Sequence, residues 1–396
     1  MVVPVKLEGY EFFNKTLKSP KMILAPMVDQ SELAWRALSR KHGADVCFTP
    51  MFHARLWTEA PKYRNEVFTT NAEDRPLVVQ FCANDPDILL EAAKMVETQC
   101  DAVDLNLGCP QGIAKKGKYG SWLQDEWELI ADMVSTLHKH LAVPVTVKIR
   151  VFTDLEKTIK YAKMIEAAGA QMLTVHGRLR EQKGQNTGIA DWDKIKAVKE
   201  AVSIPVIANG NILYHEDIQK CIDYTGCDGV MTAEGSLYNP AIFSNKFGKL
   251  PAFTYEMAEE YMEIAKEVDC RTGLIKGHLF KILQPSLRVH TDLRAKLGKS
   301  HTFEQYSEVV SEVKERLIKE FNEQGEEDFQ GQLDDKGIRK YAHWRCQPYI
   351  RPEGPENSGK SKKEKKQEKK REAAEQIDNE KDVKKLKQDD DKIDQE

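Results

Sequence analysis

Cys109 has the side chain and the position that most directly indicate chemistry in this chain. It follows the apolar run AVDLNL after one glycine, and Gly108 and Pro110 are typical of a turn at a strand end. A thiol held in such a turn acts as a nucleophile or as a proton donor, and the sequence leaves both roles open. The common alternative is a small buried hydrophobic residue, but the polar residues at the other strand ends favour a reactive thiol.

Lys148 and His176 are two further ionisable residues in apolar runs. Lys148 lies in VTVKIR, where an inward-pointing cation needs an anionic partner or ligand to offset its lost hydration. Near an electron-poor ring, such a lysine would stabilise the negative charge that develops on a reduced cofactor. The alternatives are a lysine that reaches solvent and a histidine whose hydrogen bonds are satisfied inside the fold.

Glycine-containing loops follow the last two apolar runs. They are Asn209-Gly210-Asn211 after the seventh run and Ala233-Glu234-Gly235 after the eighth. Loops at these places of an α/β barrel commonly hold phosphate, because glycine lets backbone N–H groups approach the anion. The pair of loops predicts a phosphorylated cofactor, although either glycine alone also fits an ordinary turn.

Eight short runs of strand-forming residues position these side chains. The runs are KMILAP from Lys21, DVCFTP from Asp45, LVVQFC from Leu77, AVDLNLG from Ala102, PVTVKIR from Pro144, MLTVHGR from Met172, PVIANGN from Pro205 and GVMTAEG from Gly229. Stretches with helical spacing separate most of them, a pattern typical of parallel strands joined by crossover helices. The prediction is an α/β fold, a TIM (β/α)8 barrel, in which the carboxyl ends of the strands carry the chemistry.

The pattern changes after residue 243. Strand runs disappear, and long helical segments are predicted at Tyr255–Cys270, Gly273–Gln284, Leu287–Leu297 and Phe303–Phe321. We predict a catalytic barrel over residues 1–248, a smaller helical domain over 249–350, and a disordered charged tail over 351–396, whose Lys- and Glu-rich composition cannot form a core.

Local clusters of cations stand out against a net charge of −4. Lys115, Lys116 and Lys118 follow the candidate thiol, and Arg271–Lys299 contains seven Lys or Arg against the single acid Asp292. Within that segment, Arg288 and Arg294 are candidate contacts to phosphate. Either cluster alone fits a solvated surface, but together they favour a polyanionic substrate.

The cysteines and the apolar stretches limit the cellular context. Eight cysteines occur without a CxxC pair or a Cys/His cluster at zinc spacing, so no metal is predicted and the thiols are interpreted as reduced. No stretch approaches 18 apolar residues, and the first residues do not form a signal peptide. We therefore predict an intracellular protein, cytoplasmic or nuclear or both, without a membrane partner. We also expect it to be a monomer.

At these residues the chain resembles the tRNA-dihydrouridine synthases, flavin enzymes that reduce selected uridines of transfer RNA. The resemblance covers about residues 23–243. Its motifs are LAPMVDQSELAWR from Leu24, VVQFCANDP from Val78, DLNLGCPQGIAKKGKYGS from Asp104, TVKIR from Thr146, TVHGR from Thr174 and IANGNI from Ile207. The combination of CPQ with IAKKGKYG is most similar to the eukaryotic branch that acts on uridines 16 and 17 of the D-loop.

The resemblance implies FMN as cofactor and NADPH or NADH as reductant. It implies cofactor contacts from Pro26, Met27, Val28, Gln80, Lys148 and His176, and phosphate contacts near Asn209, Gly210, Asn211, Ala233 and Glu234. Cys109 would be the general acid, which protonates C5 of uracil after the flavin gives hydride to C6. Asn106 would hold an edge of the uracil or flavin, and Arg178 is a candidate on the substrate or cofactor side.

The implied substrate is folded tRNA with an extruded base, gripped by the helical domain and by the lysines near Cys109. Bacterial relatives commonly have Gly-Arg where this chain has Glu234 and Gly235, so the resemblance implies no arginine contact to phosphate there.

Within the family, a synthase that acts on a different uridine position remains open at this stage, and so do two other functions. An FMN barrel of the dihydroorotate dehydrogenase type would use a similar lysine, asparagine and loop thiol, but its small substrate needs no basic helical domain. A non-catalytic RNA-binding or chaperone protein would use the barrel only as a scaffold. Salt-sensitive tRNA binding argues against the first, and bound yellow flavin argues against the second.

Overall fold

The strands close into one barrel in the order of the sequence. The computed structural model describes residues 6–184, 187–247, 250–325, 339 and 341–350. The strands are β1 (Met22–Leu24), β2 (Val46–His53), β3 (Leu77–Cys82), β4 (Ala102–Leu107), β5 (Val145–Arg150), β6 (Leu173–His176), β7 (Val206–Asn209) and β8 (Gly229–Thr232). All pairs are parallel, and β8 pairs with β1. The predicted (β/α)8 barrel is confirmed.

Helices surround the barrel and continue after it. They are α1 (Gly9–Lys15), α2 (Leu33–Lys41), α3 (Ala54–Glu59), α4 (Pro61–Val67), α5 (Pro86–Lys94), α6 (Gly112–Gly117), α7 (Trp127–His140), α8 (Leu155–Ala167), α9 (Trp192–Ala201), α10 (His215–Thr225), α11 (Glu234–Tyr238), α12 (Thr254–Glu267), α13 (Thr272–Ile282), α14 (Gln284–Val289), α15 (Thr291–Lys299) and α16 (Phe303–Gln324). Short 3-10 helices occupy Gly120–Leu123 and Pro240–Phe243. None of the described helices combines the length and apolarity that a bilayer span requires.

The barrel interior is apolar at the amino ends of the strands and polar at their carboxyl ends. Side chains alternate along a strand, so every second residue of each strand points into the barrel. The apolar layer includes Val46, Phe48, Val78, Ala102, Met172, Ile207 and Met231, and Phe12 and Phe13 of α1 pack beneath it. Nearer the carboxyl ends, the inward-pointing residues form a polar layer that consists of Gln80, Asp104, Asn106, Lys148, His176 and Asn209. The polar layer therefore lies at the catalytic end of the barrel.

The helices after the barrel are joined to it by a buried polar contact. His278 of α13 stacks on Trp35 of α2, with ring centroids 4.1 Å apart, and its Nε2 lies 3.0 Å from Oε2 of Glu32. Burial acts to raise the pKa of Glu32, but the charge and hydrogen bond of His278 outweigh it, and the pKa is lowered. The described residues up to Tyr349 form one compact unit. The predicted domain boundary at 248–249 and the predicted tail at 351–396 lie outside the described residues.

One predicted helix is divided in two. The helix expected over Leu287–Leu297 is interrupted at His290, whose φ of −89° and ψ of 74° are not helical. No proline or glycine marks this break in the sequence. The turn directs the imidazole of His290 toward Glu320 of α16, a contact between residues distant in sequence that local helical spacing does not predict.

Candidate active site

A chain of hydrogen bonds crosses the polar layer and ends at the loop that carries Cys109. Thr146 Oγ1 donates to Asp104 Oδ1 at 2.7 Å, and Gln80 Nε2 donates to Asp104 Oδ2 at 2.8 Å. Asn106 Nδ2 in turn donates to Gln80 Oε1 at 2.8 Å. The other end of the Asn106 side chain, Oδ1, accepts from the backbone N–H of Gly108 at 3.1 Å and of Cys109 at 2.9 Å. Asn106 thus fixes the backbone of the loop that carries Cys109.

Asp104 is the fixed acceptor in this chain. Burial raises the pKa of its carboxyl to about 6, although the hydrogen bonds from Thr146 and Gln80 oppose the rise. At neutral pH the carboxylate is ionised and only accepts hydrogen bonds. It therefore sets the orientation of the Gln80 amide, and through Gln80 the orientation of Asn106.

The pKa of Asp104 predicts a pH dependence of stability. The carboxyl has an ordinary value of 3.8 and a folded value of about 6. Between these values the folded chain holds a proton that the unfolded chain has lost, so this group's contribution to stability falls as pH rises from about 4 to 6 and is constant above. Urea unfolding over this range should show the contribution in the wild type and not in Asp104→Asn. Exposed Asp132→Asn on α7 is the control, and parallel curves for the wild type and Asp104→Asn would contradict the prediction.

Cys109 lies half-exposed at the end of β4. Its carbonyl oxygen accepts from the backbone N–H of Ser121 at 3.1 Å and from Ser121 Oγ at 3.0 Å. Gly120 has a φ of +65°, and a Cβ there would lie 2.7 Å from the same carbonyl oxygen, so glycine permits this close approach. Cys82 belongs to the adjoining cluster but is buried, and burial raises its pKa strongly. Of these two thiols, Cys109 is the one that a substrate can reach.

Lys148 is buried in the polar layer with a neutral partner. Its Nζ donates to Oδ1 of Asn209 at 2.9 Å, and Asn209 Nδ2 donates to the Met231 carbonyl at 2.9 Å. Burial, and after it the charge of the neighbouring Arg150, lower the pKa of Lys148 to about 8, while the charge of Asp104 acts in the opposite direction. At pH 7 the Lys148 side chain is still charged in most molecules. The polar layer therefore presents a poorly hydrated cation at the barrel mouth.

Arg150 is a functional candidate that the sequence-based prediction missed. It is 7% exposed. Its Nε donates to the Gly108 carbonyl at 2.8 Å, and its Nη1 donates to the Leu179 carbonyl at 2.7 Å and the Gln182 carbonyl at 3.0 Å. Arg150 thus ties the loop of Cys109 to the loop after β6. It lies two residues after Lys148 on the same face of β5, and strand alternation was the signal for it.

His176 and Arg178 meet the loop after β7. Arg178 Nη1 lies 3.1 Å from His176 Nε2, and Arg178 Nη2 donates to Asn211 Oδ1 at 2.6 Å. Because a guanidinium only donates, His176 Nε2 must accept, and the imidazole is neutral with its proton on Nδ1. Burial, with Lys148 and the two arginines, lowers the pKa of His176 well below its usual value. Gly210 has a φ of +117°, and a Cβ there would lie 3.1 Å from His176 Cδ2.

The remaining predicted cofactor residues lie on the loops after β1 and β8. The Met27 N–H donates to Ser31 Oγ at 3.0 Å, Pro26 is half-buried, and Val28 is 55% exposed. Ala233 follows β8 directly, and Glu234 begins α11. All of the predicted cofactor residues therefore lie in the carboxyl-end halves of the strands or in the loops that follow them.

Cations surround Trp122 beside the Cys109 loop. Lys115 Nζ lies 4.8 Å, Arg180 Cζ 5.1 Å and Lys183 Nζ 5.4 Å from the Trp122 ring centroid. Lys183 Nζ also donates to the Pro110 carbonyl at 3.0 Å. We call Trp122, Lys115, Arg180 and Lys183 the Trp122 cluster. Only Lys115 was predicted, because the other two cations come from the loop after β6. The predicted Lys116 and Lys118 are exposed nearby on and after α6.

The cations of the segment Arg271–Lys299 include both exposed and paired side chains. Arg288 on α14 and Arg294 on α15 are exposed. In contrast, Lys276 donates to the Gly298 and Ser300 carbonyls, and Lys296 pairs with Glu308 and Glu312. The structure thus leaves the two arginines that were selected from sequence available at the surface.

Known proteins with similar sequences identify the family. The family described as dihydrouridine synthase (Dus) matches residues 23–330. The chain is 52% identical over 367 residues to a "tRNA-dihydrouridine(16/17) synthase (NAD(P)(+))" of Schizosaccharomyces pombe, covering 88% of this chain and 92% of that protein. It is 49% identical over 357 residues to a mouse protein of the same name with the suffix "-like", covering 90% and 73%. To a human "tRNA-dihydrouridine(20a/20b) synthase (NAD(P)+)-like" it is 43% identical over 225 residues, covering 56% and 70%. Because the family match spans most of the sequence, the chain belongs to the dihydrouridine synthase family.

Proposed function

We propose that the protein is a flavin-dependent tRNA-dihydrouridine synthase that reduces the C5–C6 bond of uridines 16 and 17 in the D-loop, with electrons from NADPH or NADH. The observation that carries the proposal is similarity to proteins named 16/17 synthases over 88% and 90% of this chain. Similarity to the protein named a 20a/20b synthase reaches only 56% of this chain. The accessible thiol of Cys109 near the buried Lys148 gives this reaction a proton donor and a cation.

The polar layer fits FMN as the cofactor. Thr174 Oγ1 is buried beside it without a hydrogen-bond partner among the described residues, and Lys148 has the neutral Asn209 as its hydrogen-bond acceptor. Both groups can take an acceptor on a polar ring. Gly210 lets the loop after β7 pack closely against Ala190 and the His176 ring, since a Cβ there would lie 2.6 Å from Ala190 Cβ. Flavin contacts are assigned to Pro26, Met27, Val28, Gln80, Lys148 and His176, and phosphate contacts to Asn209, Gly210, Asn211, Ala233 and Glu234. When bound, FMN supplies hydride for C6 of uracil.

The chain's own residues supply the proton and hold its donor in place. Cys109 gives the proton of its thiol to C5 of uracil, so hydride and proton together saturate the bond. Asn106 holds the backbone N–H of Cys109, and Arg150 holds the carbonyl of Gly108. These contacts fix the thiol over the barrel mouth and reduce the freedom lost when the base arrives. Lys148 stabilises negative charge that develops at the cofactor side of the site.

Cations outside the barrel mouth hold the tRNA. The target base must leave its stack to reach Cys109, and contacts to the surrounding phosphates offset part of that cost. Lys115 and Lys116 lie on α6, Lys118 and Arg178 lie on loops near the mouth, and Arg288 and Arg294 lie on the helices after the barrel. We assign the lysines and the two helical arginines to the tRNA, and Arg178 to the substrate or cofactor side.

Removing two cations of the Trp122 cluster should weaken tRNA binding. In Lys115→Gln with Lys183→Gln, we expect a lower affinity for all tRNAs and a salt dependence of log K that is shallower by about 1.5 to 2, because two phosphate contacts are lost. Reduction of the flavin by NADPH should not change. The control is Lys139→Gln with Lys163→Gln, which removes the same charge from exposed positions of α7 and α8. Equal salt slopes in both double variants would remove the cluster from the tRNA contact.

The experiment that tests the whole proposal is a map of dihydrouridine in tRNA from cells with and without this protein. We expect loss at positions 16 and 17 and recovery when the gene is returned. Loss at another position would assign a different branch of the family, and an unchanged map would contradict the proposal. Purified protein without flavin absorbance would favour an RNA-binding role without catalysis.

The proposed tRNA substrate also supports an intracellular location. A tRNA substrate places the protein inside the cell, in the cytoplasm, the nucleus or both. We keep the monomer as the proposed active form, and sedimentation of the protein with and without tRNA tests it.

A further inference from the structure

Two histidines and a glutamate from separate segments meet in the helical part of the chain. His290 lies between α14 and α15, Glu320 lies on α16, and His343 lies in the segment that follows. Their nearest ligand atoms, one from each side chain, all lie within 4.8 Å of one another. In the described part of the chain this is the one such group of His, Cys, Asp and Glu side chains. We call it the 290/320/343 triad.

The geometry of the triad is close to that of a metal site. Nε2 of His290 lies 3.3 Å from Oε1 of Glu320, and Nε2 of His343 lies 2.7 Å from Oε2 of Glu320. Bonds of about 2.0 to 2.1 Å at a tetrahedral angle place two zinc ligands about 3.4 Å apart. The first pair already has this separation. His343 Nε2 faces the other carboxylate oxygen, and because the three ligand atoms lie within 4.8 Å of one another, side-chain rotations can bring them around one ion.

His290 provides a second, independent observation. Its side chain is 10% exposed, and its buried Nε2 makes no hydrogen bond to any described residue, since Glu320 lies within reach but at an unsuitable angle. A buried imidazole nitrogen without a partner is costly, because the lost hydration is not replaced. A bound cation would satisfy this nitrogen and share one carboxylate oxygen of Glu320 with it.

Hydrogen bonds to Ser286 hold the backbone of two of the ligands, His290 and His343, in position. His290 donates its N–H to the Ser286 carbonyl at 2.9 Å, and Ser286 Oγ donates to the His343 carbonyl at 2.7 Å. The interruption between α14 and α15 directs the His290 ring toward α16. The side chains of Glu320 and His343 remain 24% and 22% exposed, so an ion and a water have access.

We propose that the 290/320/343 triad binds one divalent transition-metal ion, with zinc as the best match. Two imidazole nitrogens and one carboxylate oxygen are a set that zinc accepts, and a water completes four-coordination. One carboxylate and two imidazole nitrogens suit a doubly charged ion. The ion joins three segments that are distant in sequence, so its binding stabilises the helical part. This proposal does not depend on the proposed tRNA reaction.

The test is a zinc titration of the full-length, flavin-loaded protein after its metals have been removed. In competition with a chromophoric chelator, the wild type should take up one tight equivalent of Zn²⁺ and melt at a higher temperature with the ion. His290→Ala and His343→Ala should lose that equivalent and the shift in melting temperature. His301→Ala, which removes an exposed histidine between α15 and α16, is the matched control and should keep both.

Two further comparisons keep the test decisive. Glu320→Gln preserves the shape of the side chain and should bind Zn²⁺ more weakly, even if the histidine variants fold poorly. Flavin content measured in each variant shows whether the barrel is intact. Absence of a tight equivalent in the wild type, or the same equivalent in His290→Ala and His343→Ala, would overturn the proposal.

Discussion

Dihydrouridine formation should fall by about 10²- to 10⁴-fold in Cys109→Ala, because this is the range that a positioned general acid contributes. Binding of FMN and tRNA should remain, since the side chain is small and its loop is held through the backbone. The Cys109 carbonyl accepts from Ser121 and its N–H donates to Asn106, and alanine keeps both contacts. Single-turnover reduction of tRNA by prereduced enzyme separates the proton-transfer defect from binding.

Two other cysteine variants sharpen this test. Cys109→Ser replaces the thiol by a hydroxyl of similar size that is a much weaker acid. We therefore expect its rate of dihydrouridine formation to remain far below that of the wild type. Cys270→Ala removes the other half-exposed thiol, which lies just after α12 beside Tyr261, and should keep full activity. Turnover of Cys109→Ala at the wild-type rate would exclude this thiol as the proton donor.

The second large effect is expected in Lys148→Met. The change removes a buried cation from the cofactor side of the site, and loss of one such stabilising group costs on the order of 10²-fold in rate. It also leaves Oδ1 of Asn209 without its donor, which costs about 1 to 3 kcal/mol of stability. We expect lower FMN content and slower flavin reduction by NADPH, both measured from the flavin absorbance.

The pH dependence of the same variant gives an independent check. The pKa of Lys148 is about 8 before the cofactor binds, so FMN affinity in the wild type should fall as pH rises through and above this value. Lys148→Met should lack that decline. Lys163→Met, an exposed change on α8, is the charge-matched control and should follow the wild type. A wild-type pH profile in Lys148→Met would contradict this role.

The barrel and most of its strand-end residues were predictable from the sequence for a simple reason. Strands buried on both faces are continuous apolar runs, so a polar residue such as Gln80 or Lys148 inside a run stands out. Strand alternation then places it inside the barrel, and the parallel order brings the carboxyl ends together. The same alternation would have identified Arg150, which was overlooked within TVKIR.

The features that the sequence did not predict depend on contacts between distant loops. Arg180 and Lys183 reach Trp122 because the loops after β4 and β6 lie side by side above the barrel. The interruption at His290 has no local signal, since its side chain turns to Glu320. The position of α1 beneath the barrel depends in the same way on a cavity that strands from the whole barrel form together.

Asp104 also decides how two amides are to be placed in an electron-density map. Nitrogen and oxygen scatter X-rays almost equally, so the two ends of Gln80 and Asn106 look alike at ordinary resolution. The carboxylate removes the ambiguity, because Gln80 must turn its nitrogen toward it and Asn106 must then turn its nitrogen toward Gln80. The same placement is expected in crystals grown below pH 6, where Asp104 takes up a proton, because the backbone N–H groups of Gly108 and Cys109 still donate to Asn106 Oδ1 and fix both amides from the other end.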